Sequence, residues 1–259
     1  RLQLDGPDSL PRSVVLRIHR ENHFGHNAAL EFAILKALET SDLPVAAPIG
    51  VDSAGAALGW PCLLIDYVEG STAIPQKEAA RRIDRMASAL ARIHAVPLSG
   101  LPPLPARVDP LPELYDFLDD PSEAAAWRAR LSYLTSTRYT GPPALLHGDL
   151  WPENILWKDG EIAAILDWED SAIGDPVSDV ACTSLEIRYL FGRDGMERFK
   201  AAYATHACID ETRFTLWLAY VAAGGLKHMG GWDLPAERLA RMRIEATATL
   251  AEAAEALSA

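Results

Sequence analysis

The sequence predicts an α+β protein of two unequal lobes, a small β-rich one over residues 1–68 and a larger, mostly helical one over 69–259. Three observations predict it. Apolar runs of strand length, punctuated by Pro and Gly, surround a single helical pattern in the first 66 residues. Helical periodicity dominates from Pro75 onward and continues through the Ala-rich stretch 180–259. Between these lies one more compact strand–loop–hairpin pattern, Leu145–Asp170, reading LLHGDLWPENILWKDGEIAAILDWED. The length of 259 residues suffices for a sizeable core in one or two domains.

In chain order, Arg1–Leu4 and Ser13–Arg20 read as strands joined by a turn rich in Asp, Gly and Pro. Residues 27–40 form a helix with Leu30, Ile34, Leu35 and Leu38 on one face. Ile49–Asp52 and Trp60–Ile65 are the next two strands, and Gly70 ends strand character after Asp66-Tyr67-Val68-Glu69. Pro75 suits the first turn of a long helix whose apolar stripe is Ala79, Ile83, Met86, Leu90 and Ile93. His94 closes it as a cap or core residue. Six prolines within 97–112 forbid regular helix or central strand there, leaving an ordered connection. Leu111–Leu118 and Ser122–Thr135 are helical. Phe214, Trp217, Leu218 and Val221 form a core stripe, which Gly224-Gly225 and Gly230-Gly231 interrupt. His228, Trp232 and Asp233 sit near the second interruption, as candidates for a substrate rim.

Composition excludes some classes. The net charge of −12 argues against nucleic acid and against anionic membrane as partners, and is compatible with a cationic substrate. No apolar run reaches membrane-spanning length. Cys62, Cys182 and Cys208 are scattered and odd in number, which suits a reducing, cytoplasmic compartment better than a disulfide framework or zinc site.

The stretch Leu145–Asp170 carries the chemistry. It reads as a strand end, a loop, a returning strand, a turn at Lys158-Asp159-Gly160-Glu161, and a strand delivering Asp167 at its C-terminal end. Asp159-Gly160 supplies the positive φ of a tight hairpin. Phosphoryl transfer needs one carboxylate to orient a hydroxyl and accept its proton, and a carboxylate with an amide oxygen to hold magnesium against the phosphates. Asp149, Asp167 and Asn154 supply that set, with Asp149 and Asn154 fixed on a single loop. Asp149, Asp167 and Glu169 would repel one another without a cation, a reason to expect Mg²⁺.

His147-Gly148-Asp149, the spaced Asn154 and Ile165-Leu166-Asp167-Trp168-Glu169 together resemble the aminoglycoside phosphotransferase and choline kinase family, relatives of the protein kinases. The resemblance implies a protein-kinase-like two-lobe fold and transfer of the γ-phosphoryl group of ATP or GTP to a hydroxyl of a small molecule such as an aminoglycoside, an amino alcohol or a sugar. It implies Arg17, where the kinases have Lys, as the cation for the α- and β-phosphates, paired with Glu31 of the helix. It implies a hinge at Asp66–Gly70, where backbone groups of Asp66 and Val68 meet the nucleotide base. A Gly-rich phosphate-covering loop is not visible, and is expected to precede Arg1 together with the first strands of the lobe.

The remaining candidates are open between roles. Trp151 contacts substrate or packs the loop, Glu169 binds a cationic substrate or caps a turn, and His147 holds the loop through its ring. Asp175 and Asp179 take structural roles, with Asp179 accepting from backbone amides of the catalytic loop. A protein kinase is disfavoured because no Ala-Pro-Glu-type segment follows Asp167. The alternative to a kinase is a non-catalytic nucleotide-binding pseudokinase module, and a metal-dependent hydrolase is a distant third.

Overall fold

The computed structural model describes residues 2–3, 13–20 and 25–258, with side chains from Ser13 onward. The turn expected between the first two strands, and the outer residues Arg1 and Leu4 of the first, lie outside the described residues. The first sheet runs β1 (Leu2–Gln3), β2 (Ser13–Ile18), β4 (Cys62–Asp66) and β3 (Pro48–Asp52) in spatial order, all antiparallel. β2 stops two residues short of the expected end, at Ile18.

Helix α1 (Ala28–Leu38) packs on this sheet, and the Asn27 side chain caps it by accepting from Leu30 N–H at 3.0 Å. Its buried face departs from the expected one at a single position. Leu30 is only half-buried, and Glu31 is buried instead, 2% exposed, beside Ile34, Leu35 and Leu38. A buried acid needs a partner, and this one has Arg17.

The remainder is mostly helical. Gln76–Glu78 form a single 3₁₀ turn after Pro75, and α2 (Ala79–His94) buries the expected stripe in full. The Pro-rich connection contributes β5 (Ala106–Arg107), an edge strand, where proline is tolerated. Two short helices come next, α3 (Glu113–Phe117) and α4 (Pro121–Arg130). β6 (Ala144–Leu146) leads into the loop, β7 (Ile155–Lys158) and β8 (Glu161–Ile165) form the hairpin, and β9 (Ala172–Gly174) lies between β5 and β6. The turn adopts the expected left-handed geometry, with φ +52° at Asp159 and +80° at Gly160.

Helix α5 (Pro176–Ala204) packs on α2 and is kinked at Gly192, and α6 (Glu211–His228) packs on α7 (Ala236–Ala256). Gly224-Gly225 do not break α6, contrary to expectation. They let it approach its neighbours: a Cβ at Gly224 would lie 3.2 Å from the Phe117 ring, and one at Gly225 3.2 Å from the Tyr189 hydroxyl. Phe214, Trp217 and Leu218 are buried as expected, while Val221 is half-buried. No helix among the described residues is long and apolar enough to cross a membrane.

Backbone hydrogen bonds at three places join the small lobe, and Ser71 just beyond it, to the hairpin and to the turn at Glu169. Ile165 N–H donates to Pro44 O at 2.7 Å, Ser71 and Trp157 exchange a pair of 2.9 Å bonds, and His26 N–H donates to Glu169 O at 2.7 Å. The hairpin therefore forms the floor of a cleft whose roof is the sheet.

Candidate active site

The loop between β6 and β7 is anchored before any ligand arrives. Asp179, in the first turn of α5, accepts His147 N–H at 2.6 Å and Gly148 N–H at 3.0 Å, the role the family resemblance implied. Burial works against its charge, but hydrogen bonding from His94 and nearby Arg107 and His147 hold its carboxyl below the ordinary range. The His147 ring bonds Leu166 O at 2.9 Å and lies 4.7 Å from the Trp168 ring, so it ties the loop to the hairpin. Burial keeps its pKa low. Gly148 has φ +87°, and a Cβ there would sit 2.0 Å from Asp170 O. This explains the Gly of His-Gly-Asp in steric terms alone.

Asp149 emerges next. Asn154 Nδ2 donates to Asp149 O at 2.9 Å and to Asp149 Oδ2 at 3.1 Å. With both amide protons turned to Asp149, the Asn154 carbonyl oxygen is left to face elsewhere. Burial, then the charges of Asp170 and Asp167, push the Asp149 carboxyl up to about 7, against the opposing pull of Asn154 and Arg107. Asp167 lies two residues beyond β8 rather than at its end, with φ +64°. A non-glycine residue held there is the kind of local strain that clusters at functional sites.

Two cavities flank this loop. The first, about 290 Å³, lies under the sheet and brings together Arg17, Glu31, Asp66, Val68, Asn154 and Asp167 between apolar walls that include Val15, Ala46, Ile65, Leu156 and Ile165. Arg17 Nη1 meets Glu31 Oε1 at 2.7 Å, and Nη2 meets Asp167 Oδ1 at 2.7 Å and also Glu169 Oε2. Burial and the nearby Asp167 push Glu31 up to about 7 and Glu169 to about 8, with Arg17 opposing in both cases. At the hinge, Asp66 N–H donates to Ala47 O and Tyr67 N–H to Ser13 O, on opposite sides of the strand. Val68 follows, beyond the end of β4, and lines the cavity.

The second cavity, about 280 Å³, lies on the other side of the loop and is lined by Asp149, Trp151, Glu186, Trp232, Asp233, Leu234 and Met242. Four candidates therefore converge there: Asp149, Trp151, Trp232 and Asp233. Glu169 does not join them; it stands with Arg17. His228 does not either, and instead packs edge-on against Phe117.

Three residues near the loop escaped sequence reasoning. Glu186 lines the second cavity from α5 with no hydrogen-bond or ion-pair partner among the described residues. Burial and the charge of Asp149 push its carboxyl up to about 8. Its signal was an acid inside an otherwise mostly apolar helical run, Ala181–Leu190. Arg107 reaches Gly148 O at 3.3 Å from the Pro-rich connection, where nothing in the pattern marks it. Arg238, from α7, pairs with Glu153 of the loop at 2.8 Å.

The oxygen donors fit magnesium. Among the described residues no three His, Cys, Asp or Glu side chains form a metal cage. Magnesium bound with nucleotide needs none, because it takes one or two protein oxygens and fills its shell with phosphate and water. Asn154 and Asp167 line one cavity, and Leu166 N–H bonds Asn154 O at 2.8 Å, fixing their relative position.

Residues 4–217 match the model of the phosphotransferase enzyme family, and the chain belongs to that family. It is 28% identical over 185 residues to acyl-CoA dehydrogenase family member 10 of Mus musculus, matching 62% of this chain and 17% of that protein. It is 30% identical over 179 residues to viomycin phosphotransferase of Streptomyces vinaceus, matching 57% of this chain and 58% of that protein. The chain thus spans a sixth of one relative and somewhat over half of the other. Among solved structures it resembles a thermostable mutant of the aminoglycoside phosphotransferase APH(4)-Ia in ternary complex with ADP and hygromycin B. The TM-score is 0.63 at 16% identity, covering 90% of this chain and 86% of that one. The fold is the protein-kinase-like one of these enzymes.

Proposed function

We propose that the protein transfers the γ-phosphoryl group of ATP to a hydroxyl of a small, positively charged molecule. The observation that carries this reading is the placement of one loop between two cavities, with Asn154 facing the first and Asp149 lining the second. The first cavity takes the nucleotide. Its apolar walls sandwich the base, backbone groups of Asp66 and Val68 meet the base edge, and Arg17 steadies the α- and β-phosphates. ATP is favoured over GTP because the solved relative holds ADP. The second cavity takes the acceptor. Its carboxylates, Glu186 and Asp233 beside Asp149, fit an ammonium group, and Trp151 and Trp232 offer faces for it. The unpaired Cys62, Cys182 and Cys208 suit a cytoplasmic setting.

Asp149 orients the acceptor hydroxyl and accepts its proton as the oxygen attacks in line. A carboxyl raised toward neutrality is well matched to that proton. Asn154 and Asp167 would hold Mg²⁺, which when bound neutralises charge on the phosphate oxygens. Asp167 meets Arg17 through Oδ1, so its Oδ2 would be the oxygen offered to the metal, while Arg17 stays held by Glu31 and Glu169.

The Arg17–Asp167 pair also favours a second reading, nucleotide binding without transfer, since it engages one oxygen of the carboxylate that a metal would use. Calorimetry of ATP binding with and without Mg²⁺ is the first test, on wild type and Asp167→Ala. Mg²⁺ is expected to strengthen binding in wild type and to do nothing in the variant. A panel of hydroxyl compounds with Asp149→Ala as control is the second, with a loss of turnover of about 10²–10⁴ expected for the general base. Mg²⁺-dependent binding with no turnover on any compound would select the second reading.

A further inference from the structure

Arg238 stands in the first turn of α7, immediately after the segment Trp232–Leu234 that walls the second cavity. Its guanidinium lies 4.9 Å over the Trp151 ring, and Nη1 holds Glu153 Oε1 at 2.8 Å. Both partners belong to the short stretch between Asp149 and Asn154. The Arg238 Nε–H is buried without a partner among the described residues, so the stack and the ion pair are what fix the group. Met242 lies one helical turn on, at the i+4 position that shares a face with Arg238, and it lines the same cavity.

We propose that Arg238 is a positioning residue that clamps the catalytic loop to the acceptor wall. It sets Asp149 against an acceptor seated between Trp232, Asp233 and Met242. The clamp grips the loop's middle, whereas the two ends have their own anchors: Asp179 on His147 and Gly148, and Leu166 N–H on Asn154 O. Losing the clamp should therefore displace the acceptor side and leave the nucleotide side in place. A planar guanidinium does what an ammonium cannot, because it stacks on Trp151 and donates to Glu153 at once. This proposal rests on the phosphotransferase reading for its kinetic consequence, but not for its geometry.

The test compares wild type with Arg238→Ala, Arg238→Lys and Glu153→Gln. Hydrogen exchange of the peptide spanning 149–157 is read first, then ATP affinity by calorimetry with Mg²⁺, then kcat and acceptor KM. In Arg238→Ala, exchange in the loop should rise about tenfold and stay unchanged in α5 and α6. The ATP Kd should hold within about twofold, and kcat should fall at least about tenfold, the cost of a misplaced general base. Arg238→Lys and Glu153→Gln should each fall between wild type and Arg238→Ala. Unchanged loop exchange would overturn the proposal, as would exchange rising equally throughout the helical part, which would make Arg238 a general strap. A wild-type protein that turns over no acceptor would instead sink the phosphotransferase reading, and the exchange and calorimetry arms would still decide the clamp.

Discussion

The two cavities beside the catalytic loop are both acidic, yet they handle their charge in opposite ways. Under the sheet, Glu31, Asp167 and Glu169 share one guanidinium, that of Arg17, which is tied to all three. On the other side, Glu186 and Asp233 line the wall with no ion-pair partner among the described residues. A region whose acids are tied to an internal cation is ordered before its ligand comes, and its ligand must compete for that cation. A region of unpaired acid is incomplete until a cation arrives. The difference supports the proposal that the first cavity takes a ligand that brings its own metal and phosphates, and the second one that brings positive charge.

Removing the shared cation is the strongest way to break this contrast. Arg17→Ala leaves Glu31 buried without its guanidinium and sets Asp167 and Glu169 against each other. Stripping one partner from such a pair costs about 3–5 kcal/mol when the pair is buried, and the partial exposure of Arg17, 25% at its side chain, calls for the lower end or less. Thermal melts should show a clear loss of stability, and calorimetry a drop of at least about tenfold in ATP affinity, about the worth of one charge-assisted contact. Acceptor KM should hold. A fall in acceptor affinity equal to that for ATP would show that the two sides are not separable.

The complementary change is Glu186→Gln, which removes charge only from the second cavity. For an ammonium-bearing acceptor, KM should rise about tenfold, corresponding to about 1.4 kcal/mol. The KM for ATP should stay as it was, and an uncharged acceptor should show no change. If charged and uncharged acceptors respond alike, Glu186 shapes the cavity rather than reading charge.

The same contrast governs how much of the molecule was legible. The first cavity is assembled from short segments whose residues announce their geometry: an Asp-Gly turn, a Gly forced by a 2.0 Å approach, an Asp placed just past a strand, and a hinge that works through backbone. Local rules reach such features. The second cavity is assembled from helices far apart in the chain, α5 and α7 with the link before it, and its residues meet only through packing. Trp232 and Asp233 were visible as a polar interruption, but Glu186 and Arg238 sit inside regular helical patterns where an acid or a base ordinarily faces water. Glu31 pairs with Arg17 as the resemblance implied, but Leu30 was misjudged for a related reason. Periodicity put Leu30 on the buried face, and only the sheet above α1, carrying Arg17, makes the neighbouring acid the buried one.

A smaller effect sharpens the contrast without any ligand. Burial and Asp149 raise the Glu186 carboxyl from an ordinary 4.5 to about 8. Between those values the folded protein holds a proton that the unfolded chain has released, so this group's contribution to stability falls as pH rises from about 4.5 to about 8. Gln cannot titrate and escapes that loss. Glu186→Gln should therefore melt higher than wild type at pH 8.5, by about 2–4 °C for each kcal/mol recovered in a chain of this size. It should melt at nearly the same temperature as wild type at pH 4.5, where both side chains are neutral. Glu31 is raised only to about 7, because Arg17 opposes its burial, so the matching Glu31→Gln change should gain less at pH 8.5 than Glu186→Gln does. The two acids would then be told apart by melting curves alone, and equal shifts for the two variants at pH 8.5 would mean that Arg17 offsets burial at Glu31 no better than Arg238 does at Glu186.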